Sequence, residues 1–169
     1  MNSMDMEAQS HSEHPEALRL WLRLLTCTQL VEKQVRNQLR EQFDTTLPRF
    51  DLMAQLQRNP DGLKMNELSR RMMVTGGNVT GITDQLVAES LVERLEVDGD
   101  RRAYRVRLTA QGRKTFDEMA KQHEDWIVSA FGVLTAKEMD ALHTLLGKVK
   151  QHHHDPTVHK TSDPLPETV

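Results

Sequence analysis

The sequence predicts a mainly α-helical fold with one small β-hairpin, and three observations predict it. Pro15 to Phe43 and residues 109–131 carry apolar residues at helical spacing and contain no interior proline. Between them, short helical stretches alternate with strong turn signals. Residues 91–97 and 104–108 alternate apolar and polar on either side of an Asp-Gly-Asp turn, as two paired strands do.

The elements follow in order. The first fourteen residues are polar and acidic, and residues 155–169 hold three prolines with no apolar period; both ends are expected to be disordered. Pro15 suits the first turn of the first helix. Along it, Leu18, Trp21, Leu22, Leu25, Leu30, Val35 and Leu39 are apolar, and its first half is apolar on more than one face. Such a helix needs more cover than a chain of this size provides, which points to a second subunit. Residues 15–47 are therefore expected to be a dimerisation helix.

Pro48 opens a shorter helix with Phe50, Met53, Ala54 and Leu56, closed by Asn59-Pro60-Asp61-Gly62. A short helix follows near 65–72. Thr75-Gly76-Gly77-Asn78 then leads into a helix running to about Ser90, held to the core by Val79, Ile82 and Leu86. The hairpin follows. Thr109 caps a long helix through Phe116, Met119, His123, Trp126 and Phe131. Thr135 and Glu138 form a capping box for the last helix, which carries Met139, Leu142, Leu145, Leu146 and Val149. Residues 110–154 are expected to complete the dimer.

Helix, turn, helix, hairpin is the order of a winged helix-turn-helix, centred on residues 65–109 within a DNA-binding domain at 48–109. A helix entering the major groove needs small polar side chains in its first turns. Thr75, Gly77, Asn78, Thr80 and Thr83 meet this need. Thr75 is a candidate N-cap, with free N–H groups beside it for a phosphate. Asn78 suits base edges, and Thr80 and Thr83 offer hydroxyls. Three glycines in so short a span cost helix stability, which close approach of a partner would explain. At the hairpin tip, Arg101 and Arg102 suit phosphates and a narrow minor groove, with Asp100 placed to orient a guanidinium. Each part alone has a plainer reading as turn or solvated surface; their conjunction within about 45 residues carries the inference.

Charge is a secondary signal. The chain has a net charge of −3, yet from Lys64 to Lys114 ten Lys/Arg stand against seven Asp/Glu. The local excess is positive, as phosphate contacts require.

No apolar run approaches the roughly 18–20 residues of a membrane span. The N-terminus lacks the order of a secretion signal, and the single cysteine, Cys27, excludes an internal disulfide. A cytoplasmic protein without membrane partners is expected. The sequence has no phosphate-binding glycine loop, nucleophile elbow or HExxH motif. No catalytic residues, metal site or cofactor are expected, and His152-His153-His154 with His159 reads as a solvated end.

Three stretches carry a resemblance: Leu91-Val92-Glu93-Arg94, Asp100-Arg101-Arg102 and Val106-Arg107-Leu108-Thr109-Ala110-Gln111-Gly112. With them, the chain over roughly residues 16–151 resembles the MarR (multiple antibiotic resistance regulator) family. That resemblance implies a triangular homodimer joined by its first and last helices on pseudo-palindromic double-stranded operators, and repression relieved by a small ligand. It implies that Arg102 reaches the minor groove with Asp100 as its partner, and that Arg101 lies by the phosphate backbone. Gly76 and Gly77 depart from the bulkier polar residues often found there.

The Gly-Gly-Asn-Val-Thr-Gly run is similar to a subgroup controlling aromatic-acid catabolism, including hydroxycinnamate regulators that respond to an acyl-CoA thioester. The effector implied is an aromatic acid or aromatic acyl-CoA. Candidate ligand residues are Trp21, Arg36, Arg40, Phe43, Arg49, Phe50 and Met53, which combine basic groups with apolar surface. Two alternatives stay open. One is redox sensing at Cys27, although its neighbours Leu24, Leu25, Leu30 and Val31 favour a buried structural thiol. The other is a helical dimer serving as a protein-interaction module.

Overall fold

The computed structural model describes residues 15–72, 76–97 and 100–154, with the backbone alone described at 76, 77, 97 and 100–103. The expected unstructured ends, 1–14 and 155–169, lie outside the described residues. The elements are α1 (Pro15–Phe43), α2 (Leu47–Gln57), β1 (Leu63–Lys64), α3 (Met65–Arg71), α4 (Gly76–Ala88), β2 (Val92–Val97), β3 (Asp100–Leu108), α5 (Ala110–Phe131) and α6 (Ala136–His154). Two units divide at Ile127/Val128, inside α5.

The first unit holds the core. Leu39, Leu52, Met53, Leu56, Leu68, Val79, Leu86, Val92, Val106 and Leu108 are all essentially shut off from solvent. They come from α1 to α4 and the sheet, so each amphipathic face meets another. α2 starts with Thr46 in extended backbone and a proline in its first turn. Its end is locked by Asn59, whose side-chain amide donates to the Gln55 carbonyl at 2.7 Å and whose oxygen accepts from Arg71 at 3.0 Å. Gly62 closes the turn at φ +84°, where a Cβ would stand 2.8 Å from the Val106 carbonyl oxygen.

The chain then forms β1, which the alternation pattern does not foretell. Leu63 pairs with Val106 and Lys64 with Arg105, so the hairpin is the larger part of a three-stranded antiparallel sheet ordered β1-β3-β2. α3 starts where the Glu67 carboxylate accepts the Lys64 N–H at 2.8 Å. That bond holds the Glu67 carboxyl below its usual range.

One junction ties the helix-turn-helix to α5. Ser90 sits in the left-handed region at φ 59°, and Leu91 N–H donates to the Leu86 carbonyl at 3.0 Å. This is a Schellman-type end to α4, with serine where glycine is usual. Thr109 caps α5 as its sequence implies, accepting the Gly112 N–H at 2.9 Å. Its hydroxyl also donates to the Ser90 carbonyl at 2.7 Å. The helix passes so close that a Cβ on Gly112 would lie 1.9 Å from the Leu91 oxygen.

In the first unit, Leu20, Trp21 and Leu30 on α1 are exposed, against buried Val35 and Leu39 in its second half. In the second unit, α6 begins at the Thr135–Glu138 capping box, where Thr135 N–H donates to Glu138 at 2.8 Å and Glu138 N–H donates back to the Thr135 hydroxyl at 3.3 Å. No residue of α6 is buried; Met139, Leu142, Leu145, Leu146 and Val149 are all exposed. Apolar rows of this length are unusual on a monomer surface. Among the described residues, no helix is long and apolar enough to cross a membrane.

Candidate nucleic-acid interface

The candidate surface is built on α4 and the hairpin. α4 packs inward through Val79, Ile82, Thr83 and Leu86, spaced for one helical face. The opposite face presents Asn78, Thr80, Gly81 and Gln85 to solvent. A Cβ at Gly81 would meet nothing within 4 Å, so the helix backbone itself is open at the middle of this face. Such a surface admits close approach, and its amide and hydroxyl groups donate and accept hydrogen bonds.

Thr83, expected to offer its hydroxyl outward, does not. It is completely buried, and its hydroxyl donates to the Val79 carbonyl at 2.8 Å. A threonine one turn after Val79 lies on the inward face and meets its polar group by bonding its own helix. Thr75 lies outside the described residues, and Gly77 is described by its backbone alone, within the first turn of α4.

The hairpin is tied to α4. Arg94 on β2 pairs with Asp84 on α4 and lies over the Tyr104 ring, 5.1 Å from its centroid. Glu93 and Arg107 stand opposite each other on β2 and β3 and bond at 2.7 Å. Sequence reading misses the Asp84–Arg94 link, since charges ten residues apart on different elements have no periodicity. The strands pair in step from Val92↔Leu108 to Glu96↔Tyr104, then jump to Val97↔Asp100. Asp100, expected in the turn, is the first residue of β3. Arg101, Arg102 and Ala103 fall in the irregular stretch. A bulge of this kind re-aims a strand tip. The side chains of Asp100, Arg101 and Arg102 lie outside the described set, so their expected pairing does too.

A cavity of about 370 Å³ lies at the other end of α4. Its walls come from Phe43 of α1, Arg49 and Met53 of α2, Glu89 and Leu91 just past α4, and Met119 of α5. Three expected ligand residues, Phe43, Arg49 and Met53, line it. The other four do not. Phe50 is buried, its ring stacked on Phe116 at 5.3 Å. Arg36 pairs with Glu32 one turn back on α1. Arg40 is exposed, and Trp21 is 55% exposed. Nearby, burial raises the Asp51 carboxyl and lowers the His123 imidazole, whose ring lies 4.9 Å from Phe50.

Cys27 is exposed, not buried as its sequence neighbours suggest: Leu25 and Leu30 are themselves exposed on α1. Among the described residues, no group of three or more His, Cys, Asp or Glu is arranged to hold a metal ion.

Known proteins match this architecture. Residues 43–103, from the end of α1 through α2 and α4 into the start of β3, match the MarR family. An HTH-type transcriptional regulator of Bacillus subtilis is 26% identical over 125 residues, 73% of this chain and 89% of that protein. The crystal structure of a MarR family transcriptional regulator from Silicibacter pomeroyi is 28% identical, with a TM-score of 0.72 over 85% of this chain and 99% of that one. A mutant MarR from Escherichia coli, solved in complex with operator DNA, is 26% identical with a TM-score of 0.69, covering 82% of this chain and 98% of its own.

Proposed function

We propose that this chain, a MarR-family winged-helix transcriptional regulator, is a homodimeric repressor released from its operator by an aromatic acid. One observation carries the reading. The same helix, α4, presents a small polar face with Asn78 and Thr80 outward, while its C-terminal end borders a cavity in which the Arg49 guanidinium stands among both apolar and polar side chains. A ligand at one end has a mechanical route to the other.

In this reading residues 48–109 form the DNA-binding unit. Asn78 and Thr80 read base edges, while Thr75 and Gly77 bring the α4 N-terminus to a phosphate. Arg101 contacts the backbone, and Arg102, oriented by Asp100, enters the minor groove. Thr83 is left out because it is buried. The exposed apolar rows on α1 and α6 form the dimer interface, so residues 15–47 and 110–154 serve dimerisation. The two recognition helices then stand about 34–36 Å apart and read an inverted repeat.

The regulated genes are those of aromatic-acid, hydroxycinnamate-type catabolism, by likeness of the α4 start. The cavity volume of about 370 Å³ is near the lower end of the roughly 300–1,000 Å³ usual for ligand pockets. It suits a free acid better than a whole acyl-CoA. The test is a gel-shift titration of operator complexes with aromatic acids and their CoA thioesters, alongside footprinting. Release by a free acid and a symmetric footprint are expected. Complexes untouched by every acid and thioester overturn the effector reading; an asymmetric, monomer-sized footprint overturns the dimer.

A second reading, release by oxidation, rests on Cys27, which is exposed on α1 in the single chain. Peroxide would then release DNA from the natural chain and not from Cys27→Ser.

A further inference from the structure

We propose that α4 reads A·T pairs, and that the gap at Gly81 receives the C5-methyl group of a thymine. The inference rests on the reading of α4 as the recognition helix and gives that helix a base preference.

The residue types on α4 narrow what it can recognise. Its 13 residues, Gly76–Ala88, contain no lysine or arginine. The commonest specific contact to guanine, a cation bonded to O6 and N7, is therefore not available from this helix. An acidic side chain suits cytosine N4. The acidic residue of α4 is Asp84, and its carboxylate is held by Arg94 of β2. What remains outward is neutral. Asn78 and Gln85 are exposed, and an amide pairs through two bonds with adenine N6 and N7. The two amides stand seven residues apart, about 10 Å along the helix axis, which is about three base-pair steps. Positions 78, 81 and 85 share one strip of the helix surface.

Gly81 lies in that strip between the two amides. A Cβ there would meet nothing within 4 Å, so the strip has a notch about one methyl group deep between longer side chains. The N–H and C=O of Gly81 are committed to bonds within the helix, so the notch offers a polar group nothing to bond. The centre of a recognition interface packs as densely as a protein interior and does not leave such a notch empty. In the major groove, the apolar group that projects from a base edge is the thymine C5-methyl. A threonine methyl makes the same kind of apolar contact with it, and Thr80 is exposed beside the notch. Val79, Ile82 and Leu86 are buried on the opposite side of α4. They fix the rotation of the helix and keep the strip outward. Adenine at the amides and thymine at the notch are thus read by one helix face.

The experiment selects duplexes from a random pool with the full chain. Affinity for the enriched duplex is then measured by fluorescence anisotropy, with deoxyuridine replacing each thymine in turn. Enriched half-sites are expected to centre on A·T pairs. Deoxyuridine removes only the methyl group. At one thymine position it is expected to weaken binding about 4-fold in one half-site and about 15-fold in both. Gly81→Ala brings a methyl of its own. It is expected to bind the thymine duplex more weakly than the natural chain does and to lose the preference for thymine over deoxyuridine at that position. A melting curve of the variant, read alongside, checks that it is folded. Gln85→Ala is expected to lose at least about 5-fold of the discrimination between A·T and G·C at one position of the half-site. The proposal is overturned if the pairs whose identity Asn78→Ala and Gln85→Ala cease to read are G·C. It is also overturned if no change of thymine to deoxyuridine weakens binding, or if Gly81→Ala keeps the full preference for thymine. Each of these outcomes leaves sequence-specific DNA binding standing. A pool from which no sequence is enriched removes the recognition-helix reading together with this inference.

Discussion

Replacing Gly112 by alanine adds one methyl group at the junction of α5 with the end of α4. That methyl would stand 1.9 Å from the Leu91 carbonyl oxygen and 2.8 Å from its carbon. Carbon–oxygen contacts settle near 3.3–3.6 Å, so the two backbones must part by more than about 1 Å. Three hydrogen bonds span this spot: Thr109 N–H to Leu91 O at 3.1 Å, the Thr109 hydroxyl to Ser90 O at 2.7 Å, and Gly112 N–H to the Thr109 hydroxyl at 2.9 Å. The shift breaks two of them, at about 1 kcal/mol each. Strain from overpacking adds about 1–3 kcal/mol, and the better helix propensity of alanine returns at most about 1 kcal/mol. The net loss is about 2–4 kcal/mol. At about 2–4 °C per kcal/mol in a chain of this size, the melting temperature falls by about 4–16 °C.

The control is the same chemical change in open space. A methyl group at Gly81 has nothing within 4 Å of it, so Gly81→Ala gains about 1 kcal/mol and melts about 2–4 °C higher. Circular dichroism melts of the two variants without DNA read both effects. If Gly112→Ala melts within about 2 °C of the natural chain, the close approach of α5 to Leu91 is wrong.

Three more outcomes follow from neighbouring features. Ser90→Gly relieves the left-handed backbone at the end of α4 and is expected to raise stability by about 0.5–1 kcal/mol in a denaturant titration. Gly81→Ala, though more stable, places a methyl in the middle of the exposed face of α4 and is expected to bind DNA more weakly in a gel shift. Burial lowers the His123 imidazole below its ordinary value near 6.5. The unfolded chain then binds more protons, so His123 contributes stability above about pH 6.5 that is lost as pH falls through that value toward the lowered one. His123→Gln is expected to flatten melting temperature against pH between 7 and 5.

Much of this surface is legible in the amino-acid order. Val79, Ile82 and Leu86 mark the inward face of α4 by spacing alone, and Thr135 with Glu138 caps α6 in the way a local motif implies. The Leu108-Thr109-Ala110-Gln111-Gly112 run gains a physical reason: Thr109 bonds across to Ser90, and Gly112 leaves room for Leu91. What is illegible has causes of two kinds. One is local. β1 is two residues long, too short for any alternation, and Thr83 reads as polar and outward until its hydroxyl is seen bonding the carbonyl one turn back. The other cause is distance along the chain. Arg49 meets Glu89 across 40 residues, and no local pattern records that. Cys27 reads as buried because an apolar helix face signals cover by something, and in a single chain that face is still open.

If α4 and the hairpin grip DNA phosphates and read a sequence, operator affinity must depend on both salt and the named side chains. The most direct measurement is affinity against salt for the natural chain, Arg102→Ala and Asn78→Ala on operator and unrelated duplexes. The natural chain is expected to lose about 100-fold or more in affinity between 50 and 200 mM salt, as several phosphate contacts require. Arg102→Ala is expected to weaken both duplexes, and Asn78→Ala to narrow the gap between them by about 1–3 kcal/mol. Affinity that barely changes over that salt range, with both variants matching the natural chain, would contradict DNA recognition by this surface.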